Sequence, residues 1–557
     1  MPEFNPAFVL LVGALVVALV PRRFGAVTTV AVAALALLVT VGLPLGATAT
    51  YDFYGIELTT MRFDGLARPF ALVFAAIMLL GAVFGWSTMG TLERAAGLAT
   101  AGAAIGVVLA GDLLTLFFFW ELKVTTVVLL VLARRRAVSS AAATRYLPVH
   151  LVGGVVLLGG VMWQGVSTGS LEFDGLELTG PTSLVLTGFL VSAAAVPLHA
   201  WLPDTYPTAT VAATVLLSAF TTKSAVYALA RGFPGLELLI WIGVVMALVG
   251  VVFAILEDDI RRLLSYHIVS QVGFMVAAIG VGTAAAVNGA TAHATAHVLY
   301  KGLLLMGAGA VVYATGRSRT SQLGGLRRAL PVVLVFYMVG ALSISGLAGF
   351  SGFPAKELAV SSIGAGGESV AQWLLKLASV GTFLSVALKL PALTWFGPAR
   401  GPVSVRRIPS TMYVAMGVAA NANVAIGLRP TLLFDLLPAP ESFVPYTAGK
   451  LVESTVLLGV TAIAFVVLRA RLTPKANTSL DTDVVYRELP VWLGPRLRPR
   501  VGAAVASLPR PAFPTVPAVW RRGALPGLGG TVAPGWVLGG TIAGAMVFVL
   551  ALTVVVG

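Results

Sequence analysis

The sequence predicts an all-α polytopic membrane protein. Hydrophobic residues make up 58% of its 557 residues, charged residues make up only 11%, and the mean hydropathy is +0.93. This balance excludes an ordinary soluble globule. Apolar runs long enough to cross about 30 Å of hydrocarbon recur along nearly the whole chain. The runs are continuous and do not alternate with polar residues, so they predict helices and not a β-barrel.

About sixteen membrane helices are predicted from these runs. Glu3 stands ahead of the first run and Arg22 follows it, so this run lacks the basic start of a secretory signal peptide and is predicted to be a membrane helix. The approximate bounds of the sixteen helices are 7–20, 24–45, 67–86, 95–111, 113–133, 146–165, 182–201, 209–231, 236–256, 263–281, 286–314, 331–363, 371–397, 411–437, 446–468 and 534–556.

The formal charge of +14 is predicted to reflect the orientation of the chain in the membrane. Arginines cluster in loops of one parity, for example at 134–136, 261–262 and 400–407, whereas acidic residues such as those at 172–177 fall mostly in the other loops. By the positive-inside rule the basic side is cytoplasmic. The charge therefore indicates a multi-pass protein of the cell (plasma) membrane, in contact with the lipid bilayer, and does not indicate nucleic-acid binding.

The sequence contains no cysteine. It therefore has no disulfide, and it cannot hold an iron–sulfur cluster through thiolates. No cofactor is expected, and any redox chemistry would belong to a partner protein.

Two of the predicted helices are broken. Pro197, Pro203 and Pro207 interrupt the stretch at 191–231, and Gly349, Gly352 and Pro354 interrupt the helix at 331–363. Broken backbone at membrane depth is tolerated only where protein or an aqueous cavity covers it. Two broken helices in corresponding positions indicate an internal repeat with binding sites at its interface.

The spacing of polar residues around the breaks supports such a repeat. Ser192 lies beside the first break and Lys223 follows 31 residues later, whereas Lys356 lies beside the second break and Lys389 follows 33 residues later. Five helices per unit is an odd number, so the two units are predicted to be inverted. The predicted segments are N-terminal transmembrane helices at 1–94, the first repeat at 95–231, the second repeat at 236–397, C-terminal transmembrane helices at 411–468, a cytoplasmic Pro/Arg-rich segment at 469–533 and the last transmembrane helix at 534–557.

Two ionisable residues of the first repeat are candidates for proton handling. Glu121 lies inside an apolar helix, where a charge costs about 2.5–3.5 kcal/mol and calls for a partner or a proton. The alternative is a structural ion pair, but Lys123 is two positions away and is predicted to point to a different face. Lys223 lies near the middle of its helix, which favours proton relay over snorkelling to the membrane surface.

His293, His297 and Lys301 stand at i, i+4 and i+8 and therefore line one face of a helix. Two imidazoles followed by a lysine are typical of a proton wire. A histidine pair at this spacing also binds zinc in other proteins, but here no neighbouring Cys or HExxH-type Glu completes a site, so no metal is expected.

Further candidates lie in the second repeat. Lys356 and Glu357, beside the second break, form either a neutral internal pair or a switching pair. Lys389 lies nearer a helix end, where it either takes part in transport or snorkels. The supporting candidates are Ser192, His199, Asp259, His267, Glu357 and Lys389.

Several motifs together resemble the antiporter-like membrane subunits shared by Mrp-type cation/proton antiporters, complex I and its hydrogenase relatives. They are FFFWEL, PLHAWLPDTYPTA, TTKSAVYALAR, DIRRLLSYHIVSQVGF, HATAHVLYKGLLLMGAG and SGFPAKE, and they follow the family order over about residues 95–400. LDTDVVYRE, at 480–488, is similar to a motif that follows the core helices of such subunits. The D subunit of the Mrp antiporter is the most similar type.

The resemblance implies about fourteen core helices, with two inverted five-helix units and a buried line of charges that joins two half-channels. It also implies that Glu121 acts as the key glutamate of the family and Lys223 as the lysine of the helix after the first break. By the same resemblance, Lys356 is the lysine of the second broken helix, and the central relay consists of His293, His297 and Lys301. One departure stands out, because family members usually carry a lysine where this chain has Ser192. A serine cannot carry that charge.

Three functions follow as hypotheses. The first is a proton-translocating subunit of a multisubunit Na⁺/H⁺ antiporter, with other membrane subunits as partners and protons and Na⁺ as cargo; it would be part of a transporter, not an enzyme. The second is a proton-pumping subunit of an NADH-quinone oxidoreductase or membrane hydrogenase. The third is a scaffold paralogue that lost transport with the lysine absent at Ser192.

Overall fold

A computed structural model describes residues 4–53, 55–399, 404–468 and 481–482. Almost all of the regular structure in these residues is helical. The helices are α1 (Pro6–Leu19), α2 (Gly25–Gly42), α3 (Ala67–Phe84), α4 (Thr91–Leu109), α5 (Leu113–Leu132), α6 (Ala137–Thr168), α7 (Gly180–Ser192), α8 (Trp201–Thr205), α9 (Val211–Gly232), α10 (Leu238–Leu256), α11 (Ile260–Val281), α12 (Ala284–Thr315), α13 (Pro331–Ser345), α14 (Gly352–Ala365), α15 (Ser369–Thr382), α16 (Ser410–Leu428), α17 (Thr431–Phe434) and α18 (Ala448–Leu468).

The predicted all-α polytopic fold is confirmed. Within the described residues, twelve helical segments are long and apolar enough to cross a membrane, and α1, α7 and α13 are shorter apolar helices. Each of the first fifteen predicted helices corresponds to one helix or to a broken pair. The segment predicted at 469–533 lies outside the described residues except for 481–482, and the helix predicted at 534–556 lies wholly outside them.

A β-hairpin between α2 and α3 was not predicted. Strands β1 (Ala47–Phe53) and β2 (Ile56–Phe63) pair antiparallel, and Gly55 in the turn has a φ of +83°. After β2, Asp64 accepts hydrogen bonds from Arg231 of α9 at 2.6 and 2.7 Å. Burial raises the pKa of the Asp64 carboxyl, but the hydrogen bonds and charge of Arg231 outweigh burial and lower that pKa. The hairpin is thus tied to the end of α9.

The first break separates α7 from α8. Helix α7 ends at Ser192, and the chain then passes through turns, including Pro197, before it resumes a helix at Trp201. The Trp201 indole Nε1 donates a hydrogen bond to the carbonyl of Val191 at 3.0 Å, so α8 satisfies a carbonyl at the end of α7. The predicted position of this break is confirmed.

The second break separates α13 from α14 and is closed by α16. Gly346 and Gly349 adopt φ angles of +75° and +89°, which a residue with a side chain rarely adopts. Ser351 donates its hydroxyl to Asn423 Oδ1 at 2.6 Å and its amide to the Asn423 carbonyl at 2.9 Å. These bonds replace helical ones that the break removes.

Helices α9, α11 and α12 form the centre of the described bundle. Nearly every residue of α9 and α11 is buried, although these helices carry Lys223 and His267. Helix α10 packs tightly on α11 through glycines: a Cβ atom added to Gly250 would lie 2.6 Å from the amide nitrogen of Ser270. The central helices therefore place ionisable side chains where neither water nor lipid reaches them directly.

Candidate functional site

Lys223 lies at the centre of α9 and is fully buried. Its Nζ donates a hydrogen bond to the Thr222 hydroxyl at 3.0 Å. Across the interface with α12, its charge interacts with His297 and Lys301. Lys223 therefore lies within electrostatic reach of the predicted relay.

His293, His297 and Lys301 are all fully buried on α12. The ring centroids of the two histidines lie 6.3 Å apart, and the His297 ring lies 5.2 Å from that of Tyr300. Within the described residues, neither histidine ring nor Lys301 Nζ has a hydrogen-bond partner. A buried polar group without a partner costs about 1–3 kcal/mol. These nitrogens are free to bind protons or water, which suits a relay.

His267 and Lys356 extend this line towards the second break. The His267 Nε2 atom lies 2.7 Å from the Ser385 hydroxyl. Lys356 Nζ donates to the carbonyl of Ile344, near the end of α13, at 2.7 Å. The charges of Lys301 and Lys356 both interact with the His267 ring. His267 thus lies within electrostatic reach of both Lys301 on α12 and the lysine of the second broken helix.

Lys356 and Glu357 are neighbours that face different surroundings. No ion pair within 4.0 Å joins them in the described structure. The carboxylate of Glu357 interacts first with the charge of Glu453 and then with those of Lys376 and Lys450. Lys356 is therefore held by a backbone carbonyl of the break, whereas Glu357 faces a group of charges towards α18 and also interacts with the charge of Lys356.

Lys389 has a structural contact in addition to any role in transport. It is buried at the end of a π-helical turn (Phe383–Lys389) that continues α15. Its Nζ donates to the carbonyls of Ile255 and Glu257 at 2.5 and 3.0 Å. These are carbonyls at the C-terminal end of α10, where a cation interacts favourably with the helix dipole. Lys389 therefore caps α10 and does not extend to the surface.

Asp259 likewise caps a helix. Its Oδ1 atom accepts hydrogen bonds from the backbone amides of Arg261 and Arg262 at 2.9 and 3.0 Å, at the start of α11. Its other carboxylate oxygen accepts from Ser318. This candidate has a full set of structural partners.

His199 meets the C-terminal motif at the first break. Its Nε2 lies 3.3 Å from Asp481 Oδ1, and Tyr266 donates its hydroxyl to Asp481 Oδ2 at 2.6 Å. The Thr482 hydroxyl donates to the carbonyl of Pro197 at 3.0 Å. Burial raises the pKa of Asp481, but the contacts with His199 and Tyr266 outweigh it and lower that pKa to about 2. Asp481 therefore stays ionised and docks on the break.

Replacing Asp481 with asparagine is expected to loosen this docking, because it removes one partner of a buried charged contact. The chain has no cysteine, so Thr482→Cys would be a unique label. We expect a water-soluble maleimide to label it about tenfold faster in the Asp481→Asn background, given the cost of breaking a buried pair. Asp435→Asn, at an exposed loop, is the matched control, and equal labelling rates in all three backgrounds would contradict the expectation.

The first repeat holds a group of ionisable side chains that sequence reasoning found only in part. Glu121 lies within α5 and Ser192 ends α7, and the buried Glu121 Oε1 and Ser192 Oγ both lack hydrogen-bond partners within the described chain. Lys123 is buried, and its charge interacts with that of Glu121 although no hydrogen bond joins them. His150 of α6 is buried beside them and was missed. The available signal was a histidine inside an apolar helix.

This fold and site define a polytopic helical membrane protein in which two broken helices flank a buried line of titratable side chains. Residues 110–386 match the family described as "NADH:quinone oxidoreductase/Mrp antiporter, TM". All six main candidate residues fall in this stretch. This stretch is the part of the chain that the family model identifies.

Curated relatives are named as subunits of cation/proton antiporters and of a dehydrogenase. The chain is 30% identical over 360 residues to the probable K(+)/H(+) antiporter A/B subunit of Rhizobium meliloti, and the match covers 59% of this chain and 36% of that protein. It is 32% identical over 274 residues to the Na(+)/H(+) antiporter D subunit of Alkalihalophilus pseudofirmus, covering 45% and 55%. It is 28% identical over 441 residues to the F(420)H(2) dehydrogenase M subunit of Methanosarcina mazei, covering 71% and 86%. The chain thus spans only part of the two antiporter proteins.

Solved structures confirm the fold. A chain of the Mrp complex from Dietzia sp. DQ12-45-1b superposes with a TM-score of 0.71 at 24% identity, covering 83% of this chain and 98% of that chain. A chain of respiratory complex I from Thermus thermophilus gives a TM-score of 0.67 at 23% identity, covering 78% and 100%. The predicted similarity to the membrane subunits of both kinds of complex is therefore confirmed.

Proposed function

We propose that this chain is a proton-translocating membrane subunit of a multisubunit Mrp-type Na⁺/H⁺ antiporter. Its cargo would be protons, passed along a buried line, and the exchanged cation would be Na⁺. The observation that carries the proposal is the α12 relay, in which His293, His297 and Lys301 are fully buried and have no hydrogen-bond partner in the described chain. A structural core would satisfy such groups, whereas a proton path needs them free.

The contacts around the relay support a continuous path. At one end Lys223 interacts with His297 and Lys301, and at the other end His267 interacts with Lys301 and Lys356. Like charges repel strongly in a low-dielectric interior, so a proton taken up at one group favours release from the next. Movement of Lys356 away from the Ile344 carbonyl at the second break would couple this exchange to conformation.

Lys301→Met tests the proposal because methionine preserves much of the volume but cannot carry a proton. In everted membrane vesicles with the complete complex, we expect cation-dependent proton flux to fall at least about tenfold, since a positioned proton carrier typically contributes about a hundredfold or more. Lys376→Met is the matched control, since this lysine lies on α15 and pairs with Glu453 of α18. Wild-type flux in a fully assembled Lys301→Met complex would refute the proposed path.

The partners and location follow from the same proposal. The relatives named as subunits of Na(+)/H(+) antiporters support Na⁺ as the coupling ion, and the Mrp complex supports an assembly with other membrane subunits. Apolar helices with exposed hydrophobic side chains, such as Leu15 and Leu38, support contact with lipid. We place the assembly in the cell membrane.

A second candidate function is a proton-pumping subunit of a redox-driven complex. The observation that favours it is the match to the M subunit of F(420)H(2) dehydrogenase, of which 86% is covered. The buried line serves either complex, because the driving reaction would take place on partner proteins. Identification of the subunits that co-purify with the tagged chain distinguishes the two: cation-antiporter subunits support the first, and flavin or iron–sulfur subunits support the second.

A further inference from the structure

The first repeat brings together three ionisable side chains that the relay described above does not use, two of them buried and one half-buried. They are Glu121 and Lys123 on α5 and His150 on α6. Each has a buried polar atom without a hydrogen-bond partner in the described structure: Oε1, Nζ and Nε2, respectively. Leaving three such atoms unpaired at one interface costs free energy of folding unless they bind protons or water.

The Glu121 carboxylate is fixed against α6. Its Oε1 atom packs on Gly154 so closely that a Cβ atom at that position would collide with it. His150 lies four residues before Gly154 and therefore on the same face of α6, one turn away. Helices α5 and α6 are antiparallel, so Lys123 and His150 both lie on the side of Glu121 nearest the basic connection at 134–136.

Lys123 is only 1% exposed. Its Nζ lies 3.8 Å from the centroid of the Trp120 ring, a favourable cation–π distance that holds the ammonium without a hydrogen bond. Its charge interacts with both Glu121 and His150. The lysine therefore lies within electrostatic reach of both the acid and the imidazole, although no ion pair within 4.0 Å forms with Glu121 in the described residues.

His150 has one nitrogen occupied and one free. Its Nδ1 lies 3.2 Å from the carbonyl of Tyr146, and a carbonyl only accepts, so Nδ1 carries the hydrogen. In the neutral ring Nε2 then has a free lone pair, and it has no partner in the described chain. The ring stacks on Tyr146 at 3.9 Å and meets the edge of Trp201 of the broken helix at 4.4 Å.

We propose that Lys123 and His150 are the proton-exchange partners of Glu121, and that Lys123 supplies the positive charge that the first break lacks at Ser192. The second break carries its own lysine, Lys356, whereas the hydroxyl of Ser192 is buried without a partner in the described residues. This inference rests on the proposed proton-translocating function and adds to it the residues that carry protons through the first repeat.

The exchange conserves protons and charge. A proton of the Lys123 ammonium passes to Nε2 of neutral His150, which leaves a neutral amine and an imidazolium. Glu121 then loses the nearby cation that favours its carboxylate, so it binds a proton from the opposite side. When the imidazolium releases its Nε2 proton towards the basic side, Lys123 takes the proton from Glu121, and the starting charges return. One proton has crossed the first repeat.

Lys123→Met, measured in everted vesicles with the complete complex, is the test. We expect cation-dependent proton flux to fall at least about tenfold with normal subunit co-purification, because methionine keeps the packing on Trp120 but carries no proton. His150→Gln is expected to have a comparable effect and serves as the second variant if Lys123→Met does not assemble. Lys376→Met is again the matched control.

A second-site change separates proton exchange from a purely structural role. Adding Ser192→Lys to the Lys123→Met variant is expected to restore flux to within about threefold of wild type. The preceding residue, Val191, packs on Gly153, and Glu121 contacts the next glycine, so the new lysine would lie in the neighbourhood of Glu121. The same change in the wild-type chain is expected to give no gain. Assembled Lys123→Met with wild-type flux, or a loss that Ser192→Lys leaves unrestored, would overturn the inference.

Lys301→Met keeps the two proposals distinguishable. If Lys301→Met loses flux and Lys123→Met does not, only the role of the first-repeat group fails. If Lys301→Met retains flux, the proposed function itself fails, whatever Lys123→Met does.

Discussion

Replacing Lys223 with methionine is expected to lower cation-dependent proton flux about a hundredfold, within the range for loss of a positioned proton donor. Lys223 is fully buried, and its charge interacts with His293, His297 and Lys301, so it lies where the first repeat meets the α12 relay. Helix α9 also carries Arg231, but that side chain is bound to Asp64 at the far end. Lys223 is the one lysine of α9, so no other lysine of this helix can take over its role. The measurement is ΔpH formation in everted vesicles with the complete complex.

Lys223→Arg is the informative companion to this variant. Arginine keeps the positive charge but does not release a proton near neutral pH, so it is expected to be as inactive as methionine. If the role of Lys223 were only to supply a fixed charge, arginine would restore flux. Co-purification of the other subunits at wild-type levels controls for assembly in both variants, and Lys376→Met again provides the control for a peripheral lysine.

Gly273→Leu is expected to prevent assembly of the folded protein. Gly273 of α11 faces α10, and a Cβ atom there would lie 2.6 Å from the backbone nitrogen of Ala247 and would also collide with the Gly243 carbonyl. Backbone atoms in a helix cannot move aside as a flexible side chain can, so the two helices would have to separate. Overpacking costs about 1–3 kcal/mol or more in well-packed cores. We expect little or no protein in membranes and a lower Tm in detergent for any that remains.

Gly459→Leu is the matched control for this prediction. Gly459 lies in α18, and a Cβ atom added there would meet no atom within 4 Å. The same substitution should therefore leave both the amount of protein and the Tm near wild type. Similar losses for the two variants would show that leucine harms the chain through insertion or expression and not through the α10–α11 contact.

The helices, the two breaks and the relay face could be predicted from the sequence because each depends on local pattern. Continuous apolar runs fix the spans, proline and glycine mark the breaks, and spacing at i, i+4 and i+8 puts His293, His297 and Lys301 on one face. The hairpin at 47–63 was missed because its short strands lie between long apolar runs and its alternation is weak. Its turn glycine, Gly55, was the available signal.

Contacts between distant segments could not be predicted. The two-residue spacing of Glu121 and Lys123 indicated different helix faces, but a long lysine side chain lying on Trp120 keeps its charge within reach of the carboxylate. The choice between snorkelling and function for Lys389 depended on where α10 ends, and its contacts with Ile255 and Glu257 come from that neighbouring helix. The meeting of His199 with Asp481 likewise required the tertiary fold.

The Asp481 contact also fixes an order of events during synthesis. The Thr482 hydroxyl and the Pro197 carbonyl that accepts its hydrogen bond are 285 residues apart. A nascent chain emerges from its N-terminus, so every described helix from α9 to α18 is made before this partner exists. Until then His199 faces the break without its acidic partner. The first break therefore gains these two contacts only after Asn423, which bonds to the second break, has been made, and a chain stalled before residue 481 would lack them.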